Sequence, residues 1–213
     1  QINNVTETIC NAGTFSSVFP VDGLNGNFVP TGTTYSWIDP VSNPLNVVTG
    51  GLSATNQESI TGQILSNLSS TPATLTYTVT PTSSEGCPGN PFTVTINVNP
   101  EPQINNFSET ICNESTFSTV SPTDTSNGDV VPEGTTYSWT APVSNPVNVV
   151  TGGLPGTDQQ SILGQTLFNE TNSPATLTYT VTPTSPDGCV GTPFSITITV
   201  NPTGQVEPVA SQV

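Results

Sequence analysis

The side chains able to do chemistry are few. The chain holds four cysteines, Cys10, Cys87, Cys112 and Cys189, and fifteen Asp and Glu, but no Lys, Arg or His, for a net charge of −15. A His-based triad, a Schiff-base lysine, a His metal site and a Lys–Asn isopeptide crosslink are therefore impossible within these residues. No basic surface exists to meet phosphates, which argues against nucleic acid as a partner. An anionic membrane repels such a chain, which argues against direct membrane contact. What remains is thiol chemistry and paired carboxylates.

The elements that must position these groups come in two copies. Cys10 matches Cys112 and Cys87 matches Cys189. At the same offset residues 1–100 lie over 103–202 without a gap, with about two-thirds of positions identical. This is an array of repeats. Two domains follow, 1–100 and 101–202, with a joint near 99–103. Gln205-Val206 falls on the register of Gln103-Ile104, so 203–213 reads as the start of a third repeat, and the chain as a window on a longer repetitive protein. Asn99-Pro100-Glu101-Pro102 carries two prolines in four residues and reads as a short, stiff joint. Apolar residues make up only 32%, yet strand alternation is too regular for disorder.

In the first repeat, residues 1–10 read as a strand with Ile2 and Ile9 as anchors. A second is expected over about 14–20, with Phe15 and Val18. Thr34-Tyr35-Ser36-Trp37 puts Tyr and Trp on one face of a strand, as Thr136-Tyr137-Ser138-Trp139 does in the second repeat. Pro40 and Pro44 fence a loop, and Asn46-Val47-Val48-Thr49 reads as a short edge strand. Further strands are expected over about 59–65, anchored by Ile60 and Leu65, at Leu75, Tyr77 and Val79 alternating with Thr, and at Phe92, Val94, Ile96 and Val98. About seven short strands per repeat predict an all-β fold of tandem immunoglobulin-like sandwiches, end to end as a rod. The structural core is then Tyr35, Trp37 and Tyr77, with Tyr137, Trp139 and Tyr179 in the second copy. Tyr77 takes the tyrosine-corner place.

Tyr-Ser-Trp, Leu-Thr-Tyr-Thr-Val-Thr-Pro, Gly-Cys and Pro-Phe-Thr-Val-Thr-Ile-Asn-Val-Asn-Pro together resemble the PKD-like, Ig-like tandem repeats of Bacteroidetes cell-surface proteins, of the gliding-motility adhesin SprB type. The resemblance covers both repeats. It departs after the core tryptophan, where Ile38-Asp39-Pro40 stands in place of an Asp-Phe-Gly-Asp run. It implies type IX secretion, an extracellular location on the outer cell surface, and a role as stalk or adhesin filament. The partners implied are neighbouring repeats, with surface polysaccharide or other filaments beyond them.

Two cysteines per repeat at one spacing suggest disulfides and an oxidising compartment. Pairing Cys10 with Cys87, and Cys112 with Cys189, is the plainest reading. Sandwich topology argues against it. Cys10 closes the first strand at the C-terminal pole, whereas Cys87 lies in a loop that returns to the N-terminal pole. Ten strand residues span about 33 Å, and a disulfide needs Cα atoms within about 7 Å. Topology instead sets Cys10 across the joint from Cys189, and leaves Cys87 and Cys112 to neighbouring repeats. Pairing within each repeat and free thiols remain the alternatives.

Only Glu7/Glu109, Asp22/Asp124 and Glu85/Asp187 are acidic in both copies. Nothing brings two together, and duplication of a whole domain suits building rather than chemistry, so the chain reads as no enzyme. Asp22, Asn25, Asp124, Asn127 and Asp129 lie in Gly-containing loops and are weak calcium candidates. An ordinary Asn-Gly turn competes and is favoured, because the alternating carboxylates of calcium loops are missing. No other cofactor is implied. Sequons occur at Asn4, Asn67, Asn106, Asn113 and Asn169. Three functions follow: a structural repeat of a filamentous adhesin or stalk, a spacer of a secreted carbohydrate-active enzyme, or an Ig-like recognition module. Loops that mostly repeat favour scaffold over recognition.

Overall fold

The computed structural model describes residues 1–204. The third-repeat start at 203–213 therefore lies outside the described residues from 205 onward. The chain divides into two compact units, Gln1–Glu101 and Pro102–Val213, each all-β. No helix among the described residues is long and apolar enough to cross a membrane.

The first unit contains β1 (Val5–Cys10), β2 (Thr34–Trp37), β3 (Val41–Asn43), β4 (Val48–Thr49), β5 (Ala54–Gln57), β6 (Ser66–Asn67), β7 (Ala73–Thr82) and β8 (Phe92–Asn99). The main sheet runs β1-β8-β7-β2-β5, and β3 also pairs with β7. Its centre is β7 and β8, where Leu75, Tyr77, Val79, Val94, Ile96 and Val98 are each at most 2% exposed and the alternating threonines face outward. Each such burial is worth about 1.5–3 kcal/mol. The β1–β8 pairing is parallel and sets Cys10 opposite Asn99. The facing layer is slighter: β4 pairs with β6, and the segments around Thr14–Val18 and Ile60–Ile64 meet only through the bridges Thr14–Ile64 and Val18–Ile60. Phe15, Val48, Ile60 and Leu65 close the core from this side.

Three sequence expectations need correction. The strand expected at 14–20 is not a continuous ladder. The Ser16 N–H is taken by the Glu7 carboxylate at 3.0 Å, and the Ser17 hydroxyl accepts the Gly62 N–H at 3.0 Å, so side chains replace strand partners. The loop between Pro40 and Pro44 holds β3, turned at the cis Asn43–Pro44 bond. Buried Ser42 steadies it by accepting the Val48 N–H at 2.9 Å. The third is the strand expected over about 59–65, where only the bridges at Ile60 and Ile64 form and the Gly62 N–H goes to the Ser17 hydroxyl; β5 lies in a stretch for which no strand is expected and pairs with β2 through a register shift between Tyr35 and Trp37.

The second unit repeats the plan with β9 (Phe107–Cys112), β10 (Thr136–Trp139), β11 (Val143–Asn145), β12 (Val150–Thr151), β13 (Gly156–Gln159), β14 (Phe168–Asn169), β15 (Ala175–Thr184) and β16 (Phe194–Asn201). The order β13-β10-β15-β16-β9 holds, β9 is again parallel to β16, and Cys112 stands opposite Asn201.

Candidate functional site

The aromatic centre is built the same way in both units. Tyr35 is 2% exposed, Trp37 5% and Tyr77 0%, and Tyr137, Trp139 and Tyr179 are 2%, 7% and 0%. Phe15 tilts against Tyr77 at 5.6 Å and Phe92 meets Tyr35 edge-on at 6.2 Å. Burial raises the Tyr77 and Tyr179 phenols well above their ordinary range. Tyr137 is pushed up to about 12, first by burial and then by the Asp129 charge. Tyr77 does not make the backbone bond of a tyrosine corner. Its hydroxyl donates to Gln63 Oε1 at 3.0 Å, because Gln63 is already held against the strand crossing: Leu52 N–H donates to the same oxygen at 2.7 Å. Leu52 O in turn accepts the Trp37 indole N–H at 2.8 Å. These groups form one closed polar frame around the core.

Asn67 supplies a second frame. It is 1% exposed. Its amide donates to Val98 O at 2.8 Å and Thr71 O at 2.9 Å, its Oδ1 accepts from Ser69, and its own N–H reaches Asn11 Oδ1 at 2.8 Å. Asn169 repeats this with Val200, Ser173, Thr171 and Asn113. These two sequon asparagines are thus structural and sealed. The sequence reading missed Gln63, Asn11 and Asn67 as organising residues. The signal was there: within 66–71 and its copy 168–173, only Asn67/Asn169 is the same residue.

The thiols lie at the two ends of each unit. In the first, Cys10 is disulfide-bonded, whereas Cys87 is exposed and free. In the second, Cys189 is disulfide-bonded and buried, whereas Cys112 is exposed and free. Pairing of Cys10 with Cys87 is thereby ruled out, and so is pairing of Cys112 with Cys189. Cys10 ends β1 beside Asn99, where the joint begins. Cys189 sits in the turn that follows β15, held by the Ser185 N–H donating to Cys189 O at 2.9 Å. That turn lies against the first residue of its unit: a Cβ built on Gly191 would stand 2.0 Å from Pro102 O.

The acidic loops are occupied by their own backbone. Asp22 Oδ1 accepts the Val29 N–H at 2.8 Å, and Asp124 Oδ1 accepts the Val131 N–H at 3.0 Å. Asp129 Oδ1 accepts from Asn105 N–H and side chain at 2.8 and 3.1 Å. Asn25 and Asn127 adopt left-handed φ values of 55° and 54°, as turn residues do. Among the described residues, no three His, Cys, Asp or Glu stand together as a metal would need. Glu7 and Glu109 are likewise engaged by Ser16 and Ser118. The Ser84 hydroxyl lowers the Glu85 pKa. What the arrangement can do chemically is thiol–disulfide exchange at its ends.

The model of the PKD-like domain matches the chain twice, over residues 7–102 and 109–204. No curated protein matches. Among solved structures, the Drosophila N-cadherin EC1-3 fragment is 11% identical at a TM-score of 0.31, over 93% of this chain and 65% of that one. An endo-fucoidan hydrolase of glycoside hydrolase family 107 is 13% identical at 0.30, over 94% and 28%. The SGBP-B protein of the Bacteroides ovatus mixed-linkage glucan utilization locus is 13% identical at 0.26, over 94% and 44%. The chain spans less than two-thirds of the length of each.

Proposed function

The chain belongs to the PKD-like domain family, in two tandem copies, and on that premise we propose that it is a structural segment of an extracellular stalk or adhesin filament. Its task is to give length and stiffness. In this reading Cys10 pairs with Cys189 across the Asn99–Pro102 joint and holds consecutive repeats in one orientation, so that they form a rod. The observation that carries the reading is the division of the thiols. The cysteine beside the joint in the first unit and the cysteine beside Pro102 in the second are the two that are disulfide-bonded. A disulfide fits an oxidising, extracellular compartment. Polar groups otherwise serve the fold, through Gln63, Asn67, Asp22 and their copies, which supports scaffold over catalysis or recognition. The finer assignment, a gliding-motility filament exported by the type IX route, rests on the sequence resemblance of the repeats. A full-length sequence tests it: many repeats favour a filament, and an adjoining catalytic domain favours a spacer.

Disulfide mapping tests the joint. Cleavage after Glu, blocked by proline at Glu101 and Glu207, leaves the cysteines on fragments 8–58, 86–109, 110–114 and 171–213. Fragment 8–58 joined to 171–213 is the expected result. Fragment 8–58 joined to 86–109 overturns the locked joint and leaves self-contained modules, as a flexible spacer would have.

A further inference from the structure

Asparagine is followed by glycine at two places, Asn25–Gly26 and Asn127–Gly128, and these are the same turn in the two copies. All four residues are exposed. Both asparagines hold a left-handed backbone, with φ 55° and ψ 23° at Asn25 and φ 54° and ψ 16° at Asn127. Nothing stands within 4 Å of where a Cβ would sit on either glycine. No side chain of the glycine shields its N–H, and the turn has room to rearrange. A neighbouring amide holds each asparagine carbonyl. Asn3 Nδ2 donates to Asn25 O, and Asn105 Nδ2 donates to Asn127 O at 2.8 Å. The copies differ in what else that amide meets. Asn105 Nδ2 is shared with Asp129 Oδ1 at 3.1 Å. In the first copy the counterpart of Asp129 is the neutral Asn27, whose Oδ1 accepts the Asn3 backbone N–H at 2.9 Å.

We infer that Asn25 and Asn127 are sites of spontaneous modification, each losing its side-chain nitrogen as ammonia through a cyclic imide to become an isoaspartyl or aspartyl residue, and that Asn25 reacts the faster. The inference is independent of the stalk reading. Solvent hydroxide takes the proton of Gly26 N. That nitrogen attacks Asn25 Cγ, and the Cγ–Nδ2 bond breaks, with Nδ2 leaving as ammonia. Water then opens the imide ring at either carbonyl. The net change is amide plus water to carboxylic acid plus ammonia. The charge that develops on Gly26 N spreads onto Asn25 O, the atom that Asn3 Nδ2 already faces, and a hydrogen bond to a charged form favours that form. In the second copy the donor is divided, and the Asp129 carboxylate repels the same charge, so Asn127 reacts roughly fivefold more slowly. Either product adds a negative charge to the turn. The isoaspartyl product also adds a backbone carbon to a turn that closes through the Asn27 N–H and Leu24 O at 3.0 Å.

The test ages the folded chain at mildly alkaline pH, then reduces it, cleaves it after Glu and maps it by mass spectrometry, with Asn25 on fragment 8–58 and Asn127 on fragment 115–133. Asn25 should convert first, Asn127 roughly fivefold more slowly, and the remaining asparagines later still. Asp129→Asn puts the residue of the first copy into the second and should bring Asn127 up to the rate of Asn25. Asn27→Asp should slow Asn25 to the rate of Asn127. Asn3→Ala should slow Asn25 roughly fivefold in the folded chain and leave its rate unchanged in urea, where the Asn3 bond is absent. Circular dichroism checks the fold of each variant before ageing. Conversion of Asn127 as fast as Asn25 overturns the inference, as does retention of both amides while other asparagines convert. An Asn3→Ala chain that ages at the unaltered rate overturns it too.

Discussion

The Tyr77 hydroxyl donates to Gln63 Oε1 at 3.0 Å, and Tyr179 repeats the bond to Gln165 at 2.9 Å. The same Gln63 oxygen accepts the Leu52 N–H at 2.7 Å. Gln63→Ala strips two donors of their acceptor at once, one of them on a tyrosine buried to 0% exposure. It should cost about 1–3 kcal/mol in urea denaturation. Tyr77→Phe removes only one partner and should cost about 1 kcal/mol. A larger loss from Tyr77→Phe than from Gln63→Ala would show that the frame is not organised by Gln63.

Asn67 makes the densest set of side-chain bonds in its unit. Asn67→Leu takes the amide donor from Val98 O and Thr71 O and the acceptor from Ser69 while keeping the backbone bond to Asn11, and should cost about 3 kcal/mol. Asn4→Ala gives up one bond to the Thr93 N–H at an exposed site and should cost less than about 1 kcal/mol. Thermal unfolding of the two variants side by side checks the ranking.

Two glycines with left-handed backbone separate strain from crowding. Gly26 has φ +77 with open space around it, so Gly26→Ala should cost roughly 1–2 kcal/mol from backbone strain alone. Gly50 has φ +97, and a Cβ there would stand 2.2 Å from Ile64 O. Gly50→Ala adds that overlap and should cost roughly 3 kcal/mol or more. Equal losses in urea denaturation would refute the close approach of the β4 end to the Ile64 segment.

Alkali should unfold the protein in a defined window. Tyr35, Tyr77, Tyr137 and Tyr179 all have phenol pKa values raised by burial, Tyr137 to about 12. Unfolded tyrosines ionise near about 10. The folded state therefore holds more protons above that value, and stability, full below about pH 10, falls as pH rises through it toward the folded pKa values. Tyrosinate absorbance and loss of the far-ultraviolet circular dichroism should appear together. Ionisation near pH 10 with the fold intact would mean the phenols are in contact with water.

The strongly alternating strands were legible because each residue of β7 and β8 answers to one face of one sheet: Leu75, Tyr77 and Val79 inward, Thr76 and Thr78 outward. The facing layer was not. Its contacts are made by side chains on backbone, Glu7 to Ser16 and Ser17 to Gly62, and such bonds leave no period in the sequence. β3 hid in a segment fenced by prolines, although a strand of three residues fits before Pro44. The site was legible in part. Topology placed the ends of the cysteine-bearing strands, since Cys10 closes a strand and Cys87 lies in a returning loop. The Tyr77 partner was not readable, because nothing local marks Gln63 as lying under a strand distant from it in sequence.

The parallel pairing of β1 with β8 has a mechanical consequence. Val5 to Cys10 run alongside Val94 to Asn99 in the same direction, so a pull between the start of the unit and its end acts along both strands and slides one past the other. Every bond of that ladder is then strained together and must rupture together. An antiparallel pair pulled from the same corner would instead peel open one bond at a time. The fold thus places its first and last strands in shear, the geometry in which a few hydrogen bonds resist the greatest force.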